Sequence, residues 1–237
     1  GDRPIAALGG RTPLSASRTP HLDRLAQEGR LGLVQTVGPD IAPESDVAVM
    51  AMLGYDPHTY HAGRGPLEAL GADMAFDDGD LALRGNFTAL GKGRRIVDRR
   101  AGRNLTSEET TALAEAVNTQ VRLTSSPAEF TVRATVGYRC AVVFYPKEGR
   151  LSAAITNTDP AYARIGGLGV AKAVAGSEVE ECRPLDDSAE AWVAAELVNE
   201  FTRKSREVMD GHEVNARRRA AGGLAANGIL LRDAGDH

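Results

Sequence analysis

Cysteine is scarce in this sequence: Cys140 and Cys182 are the only two in 237 residues. That is too few for a disulfide framework and fits a reducing compartment. The pair allows one bridge, but two buried free thiols are the preferred reading. No apolar run approaches the roughly 20 residues that cross a bilayer, and no charged-then-apolar signal pattern opens the text. Positive charge is not in excess, since 28 Lys and Arg stand against 32 Asp and Glu for a formal net charge of −4. The overall basic footprint of a nucleic-acid binder is therefore missing. No internal repeat is evident. What remains, 42% hydrophobic and 25% charged residues, is the composition of a soluble globular protein. It excludes wholesale disorder, a collagen-like fibre and a coiled-coil rod. The expected location is the cytoplasm, with neither nucleic acid nor membrane as a partner.

The length is generous for one domain and short for two large ones. Thr19-Pro20 reads as the N-cap and first residue of a helix with Leu22, Leu25 and Ala26 on one face, closing at Gly29. Residues 31–37, rich in Leu and Val, read as a strand. An α/β layer would also want a strand before that helix. At the other end, residues 228–231 read as a buried strand close to the last residue. Both ends are therefore expected to be cuts through a larger fold. Residues 40–44 form a polar, Pro-bearing loop, and Ser45-Asp46 opens a helix through Val47, Met50, Ala51 and Leu53 that stops at Gly54.

Beyond residue 70 the pattern becomes α+β. Residues 81–87 and 130–136 alternate as strands do, with Phe130, Val132, Ala134 and Val136 on one face. Residues 141–145 are a more continuous apolar strand. Thr106 and Glu109 form a capping box ahead of Leu113, Ala116 and Val117. Residues 157–176 read as a long loop. Asp187-Ser188 starts the longest helix, with Trp192, Val193, Leu197, Phe201 and Val208 facing inward. Residues 212–223 look basic and irregular.

Ser45, at a loop-to-helix junction, has two readings. It is an N-cap whose hydroxyl satisfies a free backbone N–H, or a nucleophile whose phosphorylated form is favoured by the helix N-terminus. A nucleophilic serine needs a base or a metal to activate it, and no Gly-x-Ser-x-Gly elbow surrounds it. Asp98-Arg99-Arg100-Ala101-Gly102-Arg103 is either a solvated turn or an anion clamp of guanidinium forks. Arg232 ends an apolar strand ahead of a Gly-containing turn, a common ligand-binding position and an equally common place for a surface arginine. In Gly63-Arg64-Gly65-Pro66 the glycines would let backbone approach an anion while Arg64 supplies charge. His58 and His61, with only Asp56 nearby, read as a surface loop rather than a metal site.

Taken together, Thr12-Pro13-Leu14, Thr19-Pro20-His21-Leu22-Asp23, Ile41-Ala42-Pro43-Glu44-Ser45-Asp46, Leu53-Gly54-Tyr55-Asp56-Pro57, the stretch from Gly63 to Gly71, the Asp98–Arg103 cluster and Val198-Asn199-Glu200-Phe201 resemble the archaeal-type 2,3-bisphosphoglycerate-independent phosphoglycerate mutases. These belong to the alkaline-phosphatase superfamily. The resemblance implies an α/β fold in which residues 1–70 are a partial phosphatase-like, metal-binding core and residues 71–237 are an inserted α+β domain. It implies interconversion of 2- and 3-phosphoglycerate through a phosphoserine at Ser45, which would also ligate one of two divalent metals (manganese, magnesium or zinc). Asp98, Arg99, Arg100, Arg103 and Arg232 would hold substrate, with Asp46, Arg64 and His212 as weaker carry-overs. The alternatives are a metal-dependent phosphomonoesterase, a relative labelled phosphonopyruvate decarboxylase, and a non-catalytic ligand-binding fragment. The family's other metal ligands fall outside this sequence, so the chain alone is expected to be catalytically silent and open to homo-oligomerisation. Asp233 stands where family members often have Gly. Asp236-His237 superficially resembles a metal-binding pair but is read as the end of the inserted domain.

Overall fold

The computed structural model describes residues 3–39, 41 and 43–236; Gly1-Asp2, Asp40 and Ala42 of the polar loop, and His237 of the Asp-His pair lie outside them. By internal contacts the chain forms two compact units, Gly1–Gln35 and Thr36–His237.

In the first unit a short 3-10 turn at Ala6–Leu8 precedes two helices, α1 (Pro13–Ala16) and α2 (Pro20–Glu28). Thr12 and Ser15 cap α1 reciprocally, at 3.1 and 2.9 Å. Thr19 and Gly29 bound α2 as the residue types require, although the Thr19 hydroxyl donates to Asp23 at 3.0 Å instead of capping a backbone N–H. The strand expected at residues 31–37 does not form. No neighbouring strand lies alongside among the described residues, and Leu31, Leu33 and Val34 are exposed. An apolar run becomes a strand only when a ladder and a covering layer complete it.

The second unit begins with three short helices, α3 (Ser45–Met52), α4 (Pro57–Tyr60) and α5 (Arg64–Gly71). Five strands then build a sheet: β1 (Leu81–Leu90), β2 (Ile96–Asp98), β3 (Ala128–Ala134) and β4 (Arg139–Pro146), and, after the hairpin of β5 (Tyr162–Ile165) and β6 (Leu168–Ala171), β7 (Gly228–Gly235). Interleaved are α6 (Ser107–Gln120), α7 (Ala189–Asp210) and α8 (Glu213–Ala220). β1 is the hub: it pairs with β4, with β7 and, at its far end, with β2, while β3 flanks β4. Every described pairing between these strands is antiparallel.

Strand periodicity sorts the residues onto two faces. Leu81, Leu83, Phe87, Cys140, Val142, Phe144, Ile229 and Leu231 join the main core with Leu113, Val117, Leu197, Val198 and Phe201 of α6 and α7. Ala82, Ala141 and Val143 face the other way, against Ala69 and Met74 at the end of α5. Arg84, Asn86, Arg139 and Arg232 share the parity of this second face, and register brings them together: Arg84 opposes Arg232 and Asn86 opposes Arg139.

Several elements differ from the sequence expectation for physical reasons. β1 is covered on both faces, so its burial is continuous rather than alternating. Val136 lies past the end of β3 and is exposed. Residues 157–176 hold the β5–β6 hairpin, whose Gly166-Gly167 turn has positive φ at both positions, 55° and 82°, as a two-residue hairpin turn requires. Trp192 is 54% exposed, while Ala191, Ala194, Ala195 and Ser205 take the inward face of α7. Residues 212–223 contain α8, capped by His212, whose Nδ1 accepts from the Val214 N–H at 3.2 Å. Arg232 is not at a strand end: β7 continues to Gly235, and the expected turn is an irregularity in its pairing with β1. Asp233 there has φ 56°, a backbone geometry that favours glycine. Both cysteines are free and buried; burial pushes the Cys182 thiol up to about 12. No helix among the described residues is long and apolar enough to cross a membrane.

Candidate active site

The second face of the sheet carries a polar cavity of about 210 Å³. Six of its lining residues are arginines: Arg64, Arg84, Arg99, Arg100, Arg139 and Arg232. Tyr138, Tyr162, Asn86, Glu44 and Ser45 complete it. Each arrives for a local reason. Arg84, Asn86, Arg139 and Arg232 are placed by strand parity. Arg99 and Arg100 leave the end of β2 in a turn that Asp98 organises, its carboxylate accepting the Arg100 and Gly102 N–H groups at 2.7 and 3.1 Å. Arg64 opens α5.

The glycines around Arg64 serve packing rather than a direct approach to an anion. Gly63 has φ 91°, and a Cβ on Gly65 would sit 2.0 Å from the Ala82 carbonyl oxygen. α5 can lie this close to β1 only with glycine there.

The charges are unevenly matched. Arg99 makes a two-pronged bond to the fully buried Asp159. Arg232 Nη1 donates to Asp233 at 2.6 Å and to Glu44 at 2.9 Å. Arg64 lies 3.4 Å from Glu44 and 3.7 Å from Asp46, and Arg84 lies 3.2 Å from Glu68. Among the described residues no carboxylate comes within 4.0 Å of the Arg100 or Arg139 guanidinium. Instead both stand over the Tyr138 ring, at 5.8 and 5.7 Å. Arg84 Nη1, Arg139 Nε and Asn86 Oδ1 are buried without a hydrogen-bond partner. The two guanidinium donors left this way suit a ligand that accepts, and the Asn86 oxygen suits a ligand hydroxyl that donates.

The field is strong. Burial, then the Arg232 and Arg64 charges, lowers the pKa of Arg84. Burial also works against the Arg232 charge, yet Asp233 and Glu44 raise its pKa above the usual value. Burial, with Glu44 adding repulsion, raises the Asp233 carboxyl despite Arg232. Such a concentration of guanidinium groups has the chemistry that suits a multiply charged anion.

Ser45 is exposed and stands at the mouth of this cavity. It is the first residue of α3; Glu44 occupies the N-cap position. Its hydroxyl makes no hydrogen bond among the described residues, so it is not spent on capping. Free N–H groups of the helix start lie beside it.

Of the residues singled out from sequence, Ser45, Arg64, Arg99, Arg100 and Arg232 meet here. Asp98, Asp46, Arg103 and His212 do not line the cavity. Asp98 supports the turn. Asp46 Oδ2 accepts from His61 Nε2–H at 2.7 Å, the tautomer being set by His61 Nδ1, which accepts the Gly63 N–H at 3.3 Å. Burial would raise the Asp46 carboxyl, but His61 and Arg64 hold it below the ordinary value. Arg103 is exposed, and His212 caps α8. His58 turns to the Gly166 carbonyl at 3.4 Å, away from the His61–Asp46 pair. Sequence reasoning missed Arg84, Asn86, Arg139, Tyr138 and Tyr162. The available signal was an arginine and an asparagine two residues apart inside the apolar run of β1, since a buried charge on a strand calls for a partner.

A larger groove of about 660 Å³ runs beside α7. Three of its charged groups are satisfied locally: Glu200 by Thr124 and Ser125, Arg206 by the Gly91 and Gly93 carbonyls, and Arg94 by the Val179 carbonyl. It lacks the convergent unpartnered donors of the arginine cavity.

Comparison with known proteins bears on this geometry. The profile of the family described as 2,3-bisphosphoglycerate-independent phosphoglycerate mutase matches residues 26–215. The chain is 44% identical over 226 residues to the protein of that description from Aeropyrum pernix, covering 95% of this chain and 53% of that one. It is 45% identical over 240 residues to 2,3-bisphosphoglycerate-independent phosphoglycerate mutase 1 of Archaeoglobus fulgidus, covering 99% and 53%. The solved cofactor-independent phosphoglycerate mutase from Thermoplasma acidophilum superposes with a TM-score of 0.61 at 36% identity, over 100% of this chain and 57% of that one. The chain thus spans about half the length of the curated relatives it matches.

Proposed function

Because the chain belongs to the 2,3-bisphosphoglycerate-independent phosphoglycerate mutase family, we propose that it supplies the phosphoryl-accepting serine and the anion-binding cavity with which 2- and 3-phosphoglycerate are interconverted. The observation that carries this is the unbonded hydroxyl of Ser45 opening onto six arginines. Ser45 Oγ attacks the phosphorus of 3-phosphoglycerate, the bond from phosphorus to the C3 oxygen breaks, and that oxygen takes a proton while the serine loses its own. The 2-hydroxyl then attacks phosphoserine, gives up its proton, and returns Ser45 to its free form. Between the two steps glycerate must stay and turn, which calls for groups that grip its carboxylate. Arg100 and Arg139, without a carboxylate partner among the described residues, supply them.

The finer organisation belongs to the same proposal: residues 1–70 as part of a phosphatase-like core, residues 71–237 as its insert, and a cytoplasmic setting. Two divalent metals are part of the family's expected chemistry and would polarise the transferring group. The residues present do not fit a complete two-metal centre. Among the described residues no three Asp, Glu, His or Cys side chains converge, and Glu44 and Asp46 are engaged by Arg232, Arg64 and His61. Ser45 is the ligand this chain would offer.

The test is Ser45→Ala in the protein expressed from its complete reading frame with manganese present. Turnover and phosphoserine should both vanish, because no other group divides the transfer into two steps. Near-normal turnover in the alanine variant would refute the phosphoserine route. Release of inorganic phosphate in place of the isomer would instead make the protein a phosphomonoesterase.

A further inference from the structure

We propose that Tyr162 is a positioning residue of the anion cavity, and that its ring rather than its hydroxyl sets the directions of Arg232 and Arg99. This inference rests on the anion-binding reading of the cavity above. The Cζ of Arg232 lies 3.9 Å from the Tyr162 ring centroid, a stacking distance, and that of Arg99 lies 5.4 Å away. Both guanidinium groups are also drawn toward Asp159, by the two-pronged bond of Arg99 and the 3.9 Å approach of Arg232 Nε. Asp159 thus bonds Arg99 and lies near Arg232 Nε, while Arg232 Nη1 is held by Asp233 and Glu44, so two like charges are brought close together. The electron-rich ring face is the second surface that lets them share a small space.

The hydroxyl of Tyr162 makes no hydrogen bond among the described residues, so the observed geometry asks only for the ring. The ring is also well anchored. It lies on β5, whose partner β6 bridges back through Val170 to Pro43, two residues before Ser45. Just before β5, the Thr158 and Asp159 N–H groups both donate to the Leu231 carbonyl, at 2.9 and 3.2 Å, next to Arg232. One hairpin therefore carries the platform for two arginines and the tether for the serine segment. A change in the ring would be read as a change in how the cavity meets an anion.

The experiment compares the parent chain with Tyr162→Phe and Tyr162→Leu. Each is titrated calorimetrically with 3-phosphoglycerate and, separately, with inorganic phosphate, and the arginine side-chain N–H resonances are recorded by NMR. The phenylalanine variant should bind within about twofold of the parent. The leucine variant should bind roughly 3- to 30-fold more weakly, the span of a desolvated cation–π contact. The Arg232 Nε–H resonance, shifted upfield over the ring face, should hold its position with Phe and move to the unshifted position with Leu. Leucine binding as tightly as the parent with that resonance unmoved would overturn the proposal. So would a phenylalanine variant as weak as the leucine one, which would assign the effect to the hydroxyl. Should the parent bind phosphate but not 3-phosphoglycerate, the mutase reading fails while Tyr162 is still judged by the phosphate series. Should it bind neither, the anion-binding reading fails and the resonances alone decide whether the ring orients the arginines.

Discussion

Arg232 Nη1 donates to Glu44 Oε1 at 2.9 Å across a sequence separation of 188 residues. The contact ties the last strand of the sheet to the residue that immediately precedes Ser45. Glu44 also lies 3.4 Å from Arg64, so one internal carboxylate partly neutralises two of the six cavity arginines. It holds the serine segment in place and competes with any incoming anion.

Glu44→Gln separates those two effects. Removing the charge releases Arg232 and Arg64 for a ligand, and a charge-assisted bond is worth roughly 1.5–3 kcal/mol. Inorganic phosphate should bind about tenfold more tightly by calorimetry, while turnover of the complete protein should fall because the Ser45 segment loses its tether. Unchanged phosphate affinity would show that Glu44 does not compete for the cavity.

The arginine cluster divides into unequal members. Arg100 lines the cavity with no carboxylate partner among the described residues, whereas Arg103 is exposed in the following turn, with φ 57°. Arg100→Ala should weaken binding of 3-phosphoglycerate by about 10- to 100-fold, the loss of one charge-assisted bond. Arg103→Ala should change it by less than about threefold, as expected for a screened surface charge. Equal losses in a parallel titration would mean that the turn rearranges to bring Arg103 onto the ligand.

Local signals in the sequence located most of the elements. The capping box of Thr106 and Glu109, Ser188 at the start of α7 and Gly29 after α2 sit where their backbone chemistry requires. Failures came where the deciding partner is distant. Residues 31–37 have the composition of a strand but no ladder. Residues 157–176 look like a loop because a four-residue strand is too short to show a period. Within the site, Ser45, Arg99, Arg100 and Arg232 stand in recognisable motifs. Arg84 left a trace as a charge inside an apolar run, but its meeting with Arg139 and Arg232 could not be read, because strand register brings them together and register depends on which strands pair.

Arg218, in a stretch that reads as irregular, shows the same dependence. It is buried, and its guanidinium donates to Glu109 at 2.8 Å, Asn104 at 2.6 Å, and the carbonyls of Leu224 and Ala101 at 2.7 and 3.3 Å. It therefore fastens the turn that follows Arg99 and Arg100 to α6. Arg218→Ala leaves three or more acceptors without a donor and should cost about 3 kcal/mol of stability, read from chemical denaturation at pH 7. A loss under about 1 kcal/mol would show that water replaces the guanidinium at little cost.

Glu200 gives the fold its own acid sensitivity, away from the arginine cavity. Its carboxylate accepts the Thr124 and Ser125 N–H groups at 3.0 and 2.9 Å and both of their hydroxyls at 2.6 and 2.7 Å, with Lys204 at 2.7 Å. Burial alone would raise its pKa, but Lys204, Thr124 and Ser125 together hold it well below the ordinary value. A carboxyl depressed by folding adds stability that is fully present above its unfolded value, near 4.3. That contribution is lost as pH falls toward the folded value. Glu200→Gln removes the charge and turns one acceptor into a donor facing donors, a loss of roughly 2 kcal/mol. The stability gap between the parent and Glu200→Gln should therefore be constant from pH 7 down to about 5 and shrink steadily below pH 4. Denaturation curves across that range provide the check. A gap that stays the same at pH 3 and pH 7 would mean that the Glu200 charge contributes nothing to holding residues 124 and 125 against α7.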